Sequence, residues 1–220
     1  MSPALRASRF AAAFEDTRLR LLSAGLLGHG RPRHLALTAI GRGEGVTTSA
    51  LGTAAALASH GENGPVLAID GSPVGTRMAE MLALPQVPVA PDAGTGVVTA
   101  AVLGLSLQGL SLQGLSMLSL TAAPPALGDA NTPAWAETWE VLRSRFGCIV
   151  VDAGSLRSDG PRRWASWVGS TVLVIDTSRV TREALHAFSR ERRQAGPVLA
   201  GFVLNKRRFH VPAALYRALT

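Results

Sequence analysis

The sequence predicts a three-layer α/β fold, in which a mostly parallel β-sheet is flanked by helices on both faces. Short, continuously apolar runs alternate along the chain with longer amphipathic stretches. This alternation is typical of strands that are buried between two layers of helices. The chain has 220 residues, of which 47% are hydrophobic and 17% are charged. A chain of this length and composition can bury one sizeable core, so we predict a single domain over residues 1–220.

Apolar runs predict the strands of this sheet. Five of them are clear, at 34–40, 66–70, 147–153, 171–176 and 197–205. The segment 84–130 is harder to interpret, because it holds several Pro and Gly residues and a tandem LSLQG sequence. We predict an irregular crossing there, with one further strand near 117–122.

The stretches between the strands predict the helices. They span 8–27, within an N-terminal segment 1–30, then 46–59, 74–83, 133–145, 180–194 and 211–219, the last within a basic tail 206–220. Pro133 favours a helix start because its missing N–H group costs nothing in the first turn. Thr181 is placed to cap the helix that follows it.

The charge balance limits the classes of partner. Lys and Arg number 22 against 15 Asp and Glu, a net charge of +7, and Lys206 is the only lysine. An excess of positive charge favours an acidic partner. Nucleic acid is not an expected partner, because the sequence shows neither a helix-turn-helix pattern nor an aromatic platform for single strands. The one cysteine, Cys148, excludes a disulfide framework, and its apolar surroundings predict a buried, inert thiol.

Residues 97–120 form the one uncharged stretch long enough to suggest a membrane span. Its Gln and Ser side chains would each need a partner in lipid, which argues against a span. The first 22 residues show no secretory pattern. We therefore expect a cytoplasmic protein.

A glycine-rich turn after the first strand predicts a phosphate-binding loop, and it reads Gly41-Arg42-Gly43-Glu44-Gly45-Val46-Thr47-Thr48. Glycines let backbone N–H groups face a phosphate, and a helix N-terminus adds partial positive charge. Thr47 stands where a hydroxyl would hold Mg²⁺. Val46, however, stands where a phosphate-binding lysine is expected, and Ile40 replaces the first glycine of the pattern. An ordinary tight turn is the alternative.

Two aspartates follow buried strands further along the chain. Asp70 ends the run VLAID, and Asp152 ends CIVVD. A carboxylate at the end of a parallel strand beside a phosphate loop can hold Mg²⁺ or accept a proton from a nucleophile. Either Asp alone could merely cap a helix. The order loop, Asp, Asp predicts a P-loop NTPase-like fold, with Asp70 and Asp152 as candidate catalytic residues and Thr47, Asp70 and Asp152 as candidate Mg²⁺ ligands.

On these motifs the chain resembles the bacterial tyrosine kinases of exopolysaccharide and capsule biosynthesis, which belong with the Min- and Par-type positioning ATPases. The family's three elements read like PGEGKST, VLLIDADLR and RFDYVIIDTPP. This chain has RGEGVTT at 42–48, VLAIDGSPV at 66–74 and RFGCIVVDAG at 145–154. TVLVIDTSRVTREAL and GFVLNK are also similar to family segments. The resemblance covers about 10–205 and implies that ATP or ADP binds with Mg²⁺ at residues 41–48, with Asn205 touching the base.

The chain departs from the family at residues that carry its chemistry. Val46 replaces the loop lysine, Ser72 replaces the second Asp of the second element, and Tyr216 is the only tyrosine, so the tyrosine-rich tail is missing. The family's oligomerisation sequence, which reads like ExxRxxR, is also incomplete, because Leu21 stands at its last Arg position. A homo-oligomer is therefore only one of the expected states.

These departures favour a degenerate family member. By resemblance, it would regulate or scaffold exopolysaccharide synthesis or export by docking on a membrane-bound chain-length protein, a polysaccharide co-polymerase. It would then be a cytoplasmic protein, peripheral at the inner membrane. One alternative is an active ATPase or tyrosine kinase whose missing lysine is replaced by Arg42 or by a cation from a neighbouring subunit. Another is a Min- or Par-type positioning ATPase.

The C-terminal residues hold a second basic cluster, Lys206-Arg207-Arg208, followed by Phe209. Three adjacent cations beside a short apolar segment suit an anionic membrane surface or an acidic partner. A solvated turn that precedes a helix packed on its own domain explains the same residues equally well.

Overall fold

The computed structural model of the chain describes residues 3–23, 34–61, 64–71, 77–83, 114–120, 124, 132–195 and 199–206. Its elements follow in the order α1 (Pro3–Ala13), α2 (Glu15–Ser23), β1 (His34–Ala39), α3 (Val46–His60), β2 (Val66–Asp70), α4 (Arg77–Leu82), β3 (Leu115–Ser119), α5 (Thr132–Arg145), β4 (Cys148–Ser155), α6 (Gly160–Val168), β5 (Thr171–Asp176), α7 (Arg182–Ala195) and β6 (Leu199–Asn205).

The described strands form one parallel sheet in the order β3-β2-β4-β1-β5-β6. Strands β1 and β4 lie at its centre, and both are buried because helices cover the two faces. Parallel strands end at a common edge, and Asp70 and Asp152 are direct partners in the register of β2 and β4. The predicted three-layer α/β, P-loop NTPase-like fold is confirmed.

Helix α3 covers one face of the sheet with small side chains. All of its residues from Ser49 to Ala58 are buried. Gly52 lies where the ring of Phe14 packs so closely that a Cβ atom would collide with it. Because most residues of α3 are small, α1 and α2 can pack closely against it.

The other face is covered by a tryptophan cluster on α5 and α6. Trp135 and Trp139 of α5 pack against Trp164 of α6, with ring centroids 5.9 and 6.2 Å away. The Trp164 indole is fully buried and donates a hydrogen bond to the carbonyl oxygen of Gly71 at 3.4 Å. The cluster therefore connects α6 to the end of β2, at the edge where the strands terminate.

Two helical features differ from the sequence-based expectation. The predicted helix 8–27 is divided at Phe14, with α1 before it and α2 after it, and residues 24–27 lie outside the described part. Helix α6 is not among the predicted helices, because Gly160 and Pro161 at its start usually indicate a turn. Pro161 instead occupies its first turn, where proline fits, and Trp164 and Val168 bury the inner side at i, i+4 spacing.

Three further predictions concern strand β3, the helices at 74–83 and 211–219, and the uncharged stretch 97–120. Strand β3 runs from Leu115 to Ser119, two residues before the predicted start at 117. The predicted 74–83 helix is described only as α4, and the predicted 211–219 helix lies outside the described residues. Most of the 97–120 stretch also lies outside them, although its end is strand β3 rather than helix. Among the described residues, no helix has the length and apolar character needed to span a bilayer.

Candidate nucleotide-phosphate site

The glycine-rich turn lies at the centre of the sheet's carboxyl edge, between β1 and α3. Gly43 and Gly45 adopt φ angles of 78° and 95°, a left-handed conformation that side chains rarely allow. Helix α3 begins directly after Gly45, so the N-terminus of a 15-residue helix borders the loop. This combination of turned backbone and helix dipole suits a phosphate.

The Glu44 side chain holds the loop rather than facing solvent. Its carboxylate is buried and accepts hydrogen bonds from the N–H groups of Gly41 at 2.5 Å and of Asp176 at 3.4 Å. Its main-chain carbonyl accepts a bond from the Asn205 side-chain amide at 2.8 Å. Glu44 therefore connects the loop to the ends of β5 and β6.

Asn205 packs directly on the loop. Its amide lies so close to Gly45 that a Cβ atom there would collide with it, and its Oδ1 accepts a bond from the N–H of Lys206 at 2.9 Å. The structure thus places Asn205 beside the glycine-rich loop. Its contact with a nucleotide base stays a prediction.

Thr47 and Asp152 are brought together across the sheet edge. The Thr47 hydroxyl donates to Asp152 Oδ2 at 2.6 Å, and the N–H of Gly154 donates to Asp152 Oδ1 at 2.9 Å. Burial raises the pKa of Asp152 to about 6, although both hydrogen bonds oppose the shift. A hydroxyl paired with a strand-end carboxylate is the donor set that a P-loop protein offers to Mg²⁺.

Asp70 lies next to Asp152 in the sheet register and is fully buried. Its Oδ2 accepts a hydrogen bond from the N–H of Met78 at the start of α4, at 3.0 Å. The Asp70 carboxylate also contributes to the raised pKa of Asp152, as a nearby like charge does. Asp70 therefore borders the candidate Mg²⁺ position while it also anchors α4.

Val46 fills the place of the loop lysine with an apolar side chain. It is 8% exposed and belongs to the hydrophobic core beneath α3. The neighbouring Arg42 is exposed, and Thr48 is half-buried in the first turn of α3. The cation that P-loop proteins aim at the phosphates is thus absent from this position.

Asp176 is a site residue that the sequence interpretation missed. It ends β5, which lies beside β1, and it is fully buried. Its Oδ2 receives the Lys206 ammonium at 2.7 Å and its Oδ1 receives the Ser178 hydroxyl, and these contacts lower its pKa to about 2. The run VLVID has the same form as the runs that end in Asp70 and Asp152, so the pattern was visible in the sequence.

The donor set and the loop geometry fit Mg²⁺ and a nucleotide phosphate, although Val46 supplies no positive charge to the phosphates. Thr47 and Asp152 would hold the metal, and the loop's N–H groups would bind phosphate oxygens. Among the described residues, no group of three or more His, Cys, Asp or Glu side chains could enclose a metal without such a partner. A bound Mg²⁺ would therefore share its coordination with the nucleotide and water.

The chain is similar in fold to solved bacterial kinase domains. The VpsO kinase domain is 22% identical and matches with a TM-score of 0.66 over 93% of this chain and 97% of that one. The BceF tyrosine kinase domain is 20% identical, with a TM-score of 0.59 over 88% of this chain and 76% of that one. The kinase domain of Escherichia coli tyrosine kinase ETK is 18% identical, with a TM-score of 0.61 over 89% and 76%.

These similarities confirm the predicted resemblance to bacterial tyrosine kinase domains at the level of the fold. No protein-family model and no curated protein sequence matches the chain. The likeness in fold leaves the chemistry of the site to be argued from this chain's own residues.

Proposed function

We propose that this chain is a degenerate tyrosine-kinase-like nucleotide-binding protein that acts as a regulator or scaffold in exopolysaccharide biosynthesis or export. The observation that carries the proposal is a phosphate loop with its Thr47–Asp152 pair in place but with Val46 buried where a lysine would stand. ATP or ADP with Mg²⁺ is the proposed ligand, held at residues 41–48.

Binding and phosphoryl transfer depend on different parts of this site. Backbone N–H groups and the α3 N-terminus bind a phosphate whatever the loop side chains are. Transfer requires charge placed where it develops in the transition state, and the loop lysine supplies much of it in P-loop enzymes. The chain therefore keeps the means to bind a nucleotide and lacks a main means of transferring its phosphoryl group.

Docking on a membrane polysaccharide co-polymerase is the proposed partner interaction, with the chain peripheral at the inner membrane. The support is the fold shared with kinase domains and the excess of positive charge, +7, which suits an acidic segment or an anionic surface. A homo-oligomer is also part of the proposal. The family's oligomerisation residues retained in α2 do not support it, because Arg18 is buried and forms an ion pair with Glu15 of its own chain at 2.6 Å.

Calorimetric titration with Mg–ATP and Mg–ADP tests nucleotide binding in the native chain and in a Val46→Lys variant. We expect the variant to bind at least tenfold more tightly and the native chain to bind weakly, without turnover of ATP. A Thr47→Ala variant is the matched loss-of-binding control. Absence of binding to both the native chain and a folded Val46→Lys variant would contradict the proposed ligand.

A membrane pull-down tests the scaffold role separately. We expect the tagged chain to co-purify with a polysaccharide co-polymerase from solubilised membranes, and the Thr47→Ala variant shows whether nucleotide controls that interaction. Recovery of the tagged chain from membranes without any such partner contradicts docking.

An active ATPase or tyrosine kinase is the second candidate, and one observation favours it. Two cations, Arg179 and Lys206, lie near the loop although neither belongs to it. This candidate requires that the native chain hydrolyse or transfer phosphate from ATP in the presence of Mg²⁺. The Asp152→Asn substitution should abolish that turnover.

A further inference from the structure

Arg179 lies on the turn after β5 and reaches the phosphate loop. Its Nη1 atom is 2.9 Å from the position that a Cβ atom would occupy on Gly43, so the guanidinium lies against the middle of the loop. The strand order explains this proximity, because β5 pairs directly with β1, whose end begins the loop. The residue is exposed and is 136 positions away from Gly43 in the sequence.

The backbone that carries Arg179 is held in a defined turn. The N–H of Arg179 donates to the carbonyl oxygen of Asp176 at 3.0 Å, and the N–H of Ser178 donates to Asp176 Oδ1 at 3.0 Å. Lys206 in turn holds the Asp176 carboxylate at 2.7 Å. The turn therefore presents the Arg179 side chain from a fixed base, which lowers the entropy lost when the guanidinium binds an anion.

Arg42, Arg179 and Lys206 lie near the loop, and their surroundings distinguish them. The Lys206 ammonium is committed to the buried carboxylate of Asp176, where it acts as a positioning group. Arg42 is an exposed side chain of the loop itself. The Arg179 guanidinium contacts Gly43, and no hydrogen bond or ion pair to another residue of the described ranges engages it.

We propose that Arg179 binds β-phosphate oxygens of a nucleoside di- or triphosphate, together with γ-phosphate oxygens in the triphosphate, and so replaces part of the charge lost at Val46. The role rests on the proposed nucleotide binding. A guanidinium suits it because its planar fork donates two parallel hydrogen bonds to phosphate oxygens. The Arg179 guanidinium lies on the β5 side of the loop, whereas a loop lysine would extend from the start of α3. Arg179 therefore supports binding without occupying the lysine's position.

Calorimetric titration of Arg179→Gln, beside the native chain, tests this inference with Mg–ATP, Mg–ADP and adenosine as probes. We expect about a tenfold loss of affinity for ATP and ADP, as for one charge-assisted contact, and no change in any adenosine binding. Arg179→Lys should restore only part of the loss. Arg182→Gln is the matched control, because it removes an exposed arginine of the same neighbourhood, at the start of α7.

The outcomes separate this inference from the proposed function. Nucleotide binding that Arg179→Gln leaves unchanged, or that Arg42→Gln weakens instead, overturns the inference alone. Binding by Val46→Lys but not by the native chain also overturns it, while the loop itself is upheld. Absence of binding to every folded variant overturns the inference and the proposed function together.

Discussion

Asp152 shows how a single carboxylate is tuned by this fold. It is buried in a central strand, beside a second buried carboxylate at Asp70, and within the described part of the chain its hydrogen-bond donors are Thr47 and Gly154. Its pKa is about 6 because burial disfavours the charged form more than the donors favour it. A divalent cation beside Asp152 would favour the charged form and lower that pKa.

The raised pKa of Asp152 predicts a specific pH dependence of stability. In metal-free buffer the folded state holds the Asp152 proton up to about pH 6, whereas the unfolded chain releases it near 3.8. The free energy of unfolding therefore falls as the pH rises through this range, by about 3 kcal/mol in all and by roughly 1.4 kcal/mol between pH 5 and 7.5.

The Asp152→Asn variant isolates this contribution. Urea unfolding at pH 5 and 7.5 should show that the variant lacks the fall seen in the native chain, whatever constant offset its altered hydrogen bonds cause. Asp159→Asn, at an exposed position before α6, serves as the control. Equal pH slopes for the native chain and Asp152→Asn would refute the assignment.

Some site residues could be predicted from the sequence, and others could not. Thr47, Asp70 and Asp152 follow strands at recognisable positions, so a linear pattern finds them. Arg179 and the anchoring role of Glu44 depend on which strand lies beside β1, and hydrophobic periodicity carries no information about strand order. Asp176 was visible as a strand-end aspartate, but its contact with Glu44 was not.

At the level of elements, the contact between α3 and the α1–α2 junction depends on the lack of a side chain at Gly52. A Cβ atom on Gly52 would collide with the ring of Phe14. We expect Gly52→Ala to lower the free energy of unfolding by about 1–3 kcal/mol through overpacking. In an open helix the same change usually raises it by about 0.5–1 kcal/mol. Denaturant unfolding of the variant and the native chain measures which effect is larger.

A double-mutant cycle gives this prediction its control. In a Phe14→Ala background the clash disappears, so Gly52→Ala should become neutral or stabilising, and the coupling energy should exceed about 1 kcal/mol. Additive effects of the two substitutions would show that α1 and α2 do not pack on α3 as described.

The sequence patterns missed helix α6 and placed the start of strand β3 two residues too late, each for a physical reason. Helix α6 has nine residues and begins with Gly160 and Pro161, which usually indicate a turn. Its burial is decided by Trp164 packing on α5, a long-range contact that local propensity cannot anticipate. Strand β3 directly follows the tandem LSLQG sequence at 105–114, whose Leu and Ser residues resemble those of the strand and leave its start open.

At the level of the whole molecule, the candidate site exists only in the assembled sheet. The loop follows β1, Asp152 belongs to β4, Asp176 ends β5, and Asn205 ends β6. These strands are distant in sequence but end at one edge, the usual position of ligands in open α/β sheets. A ligand bound there contacts the folded state alone and must therefore stabilise the entire domain.

Thermal unfolding with Mg–ATP tests this coupling between the site and the fold. At a concentration ten times the dissociation constant, the nucleotide should add about 1.4 kcal/mol to the free energy of unfolding and raise Tm by about 3–5 °C. Because Thr47 bonds Asp152 at the Mg²⁺ position, Thr47→Ala should lose most of that shift, measured against its own ligand-free Tm. Ser166→Ala, which removes an exposed hydroxyl on α6, should keep it. An equal shift in Thr47→Ala, or one that survives chelation of Mg²⁺, would place the nucleotide elsewhere on the molecule.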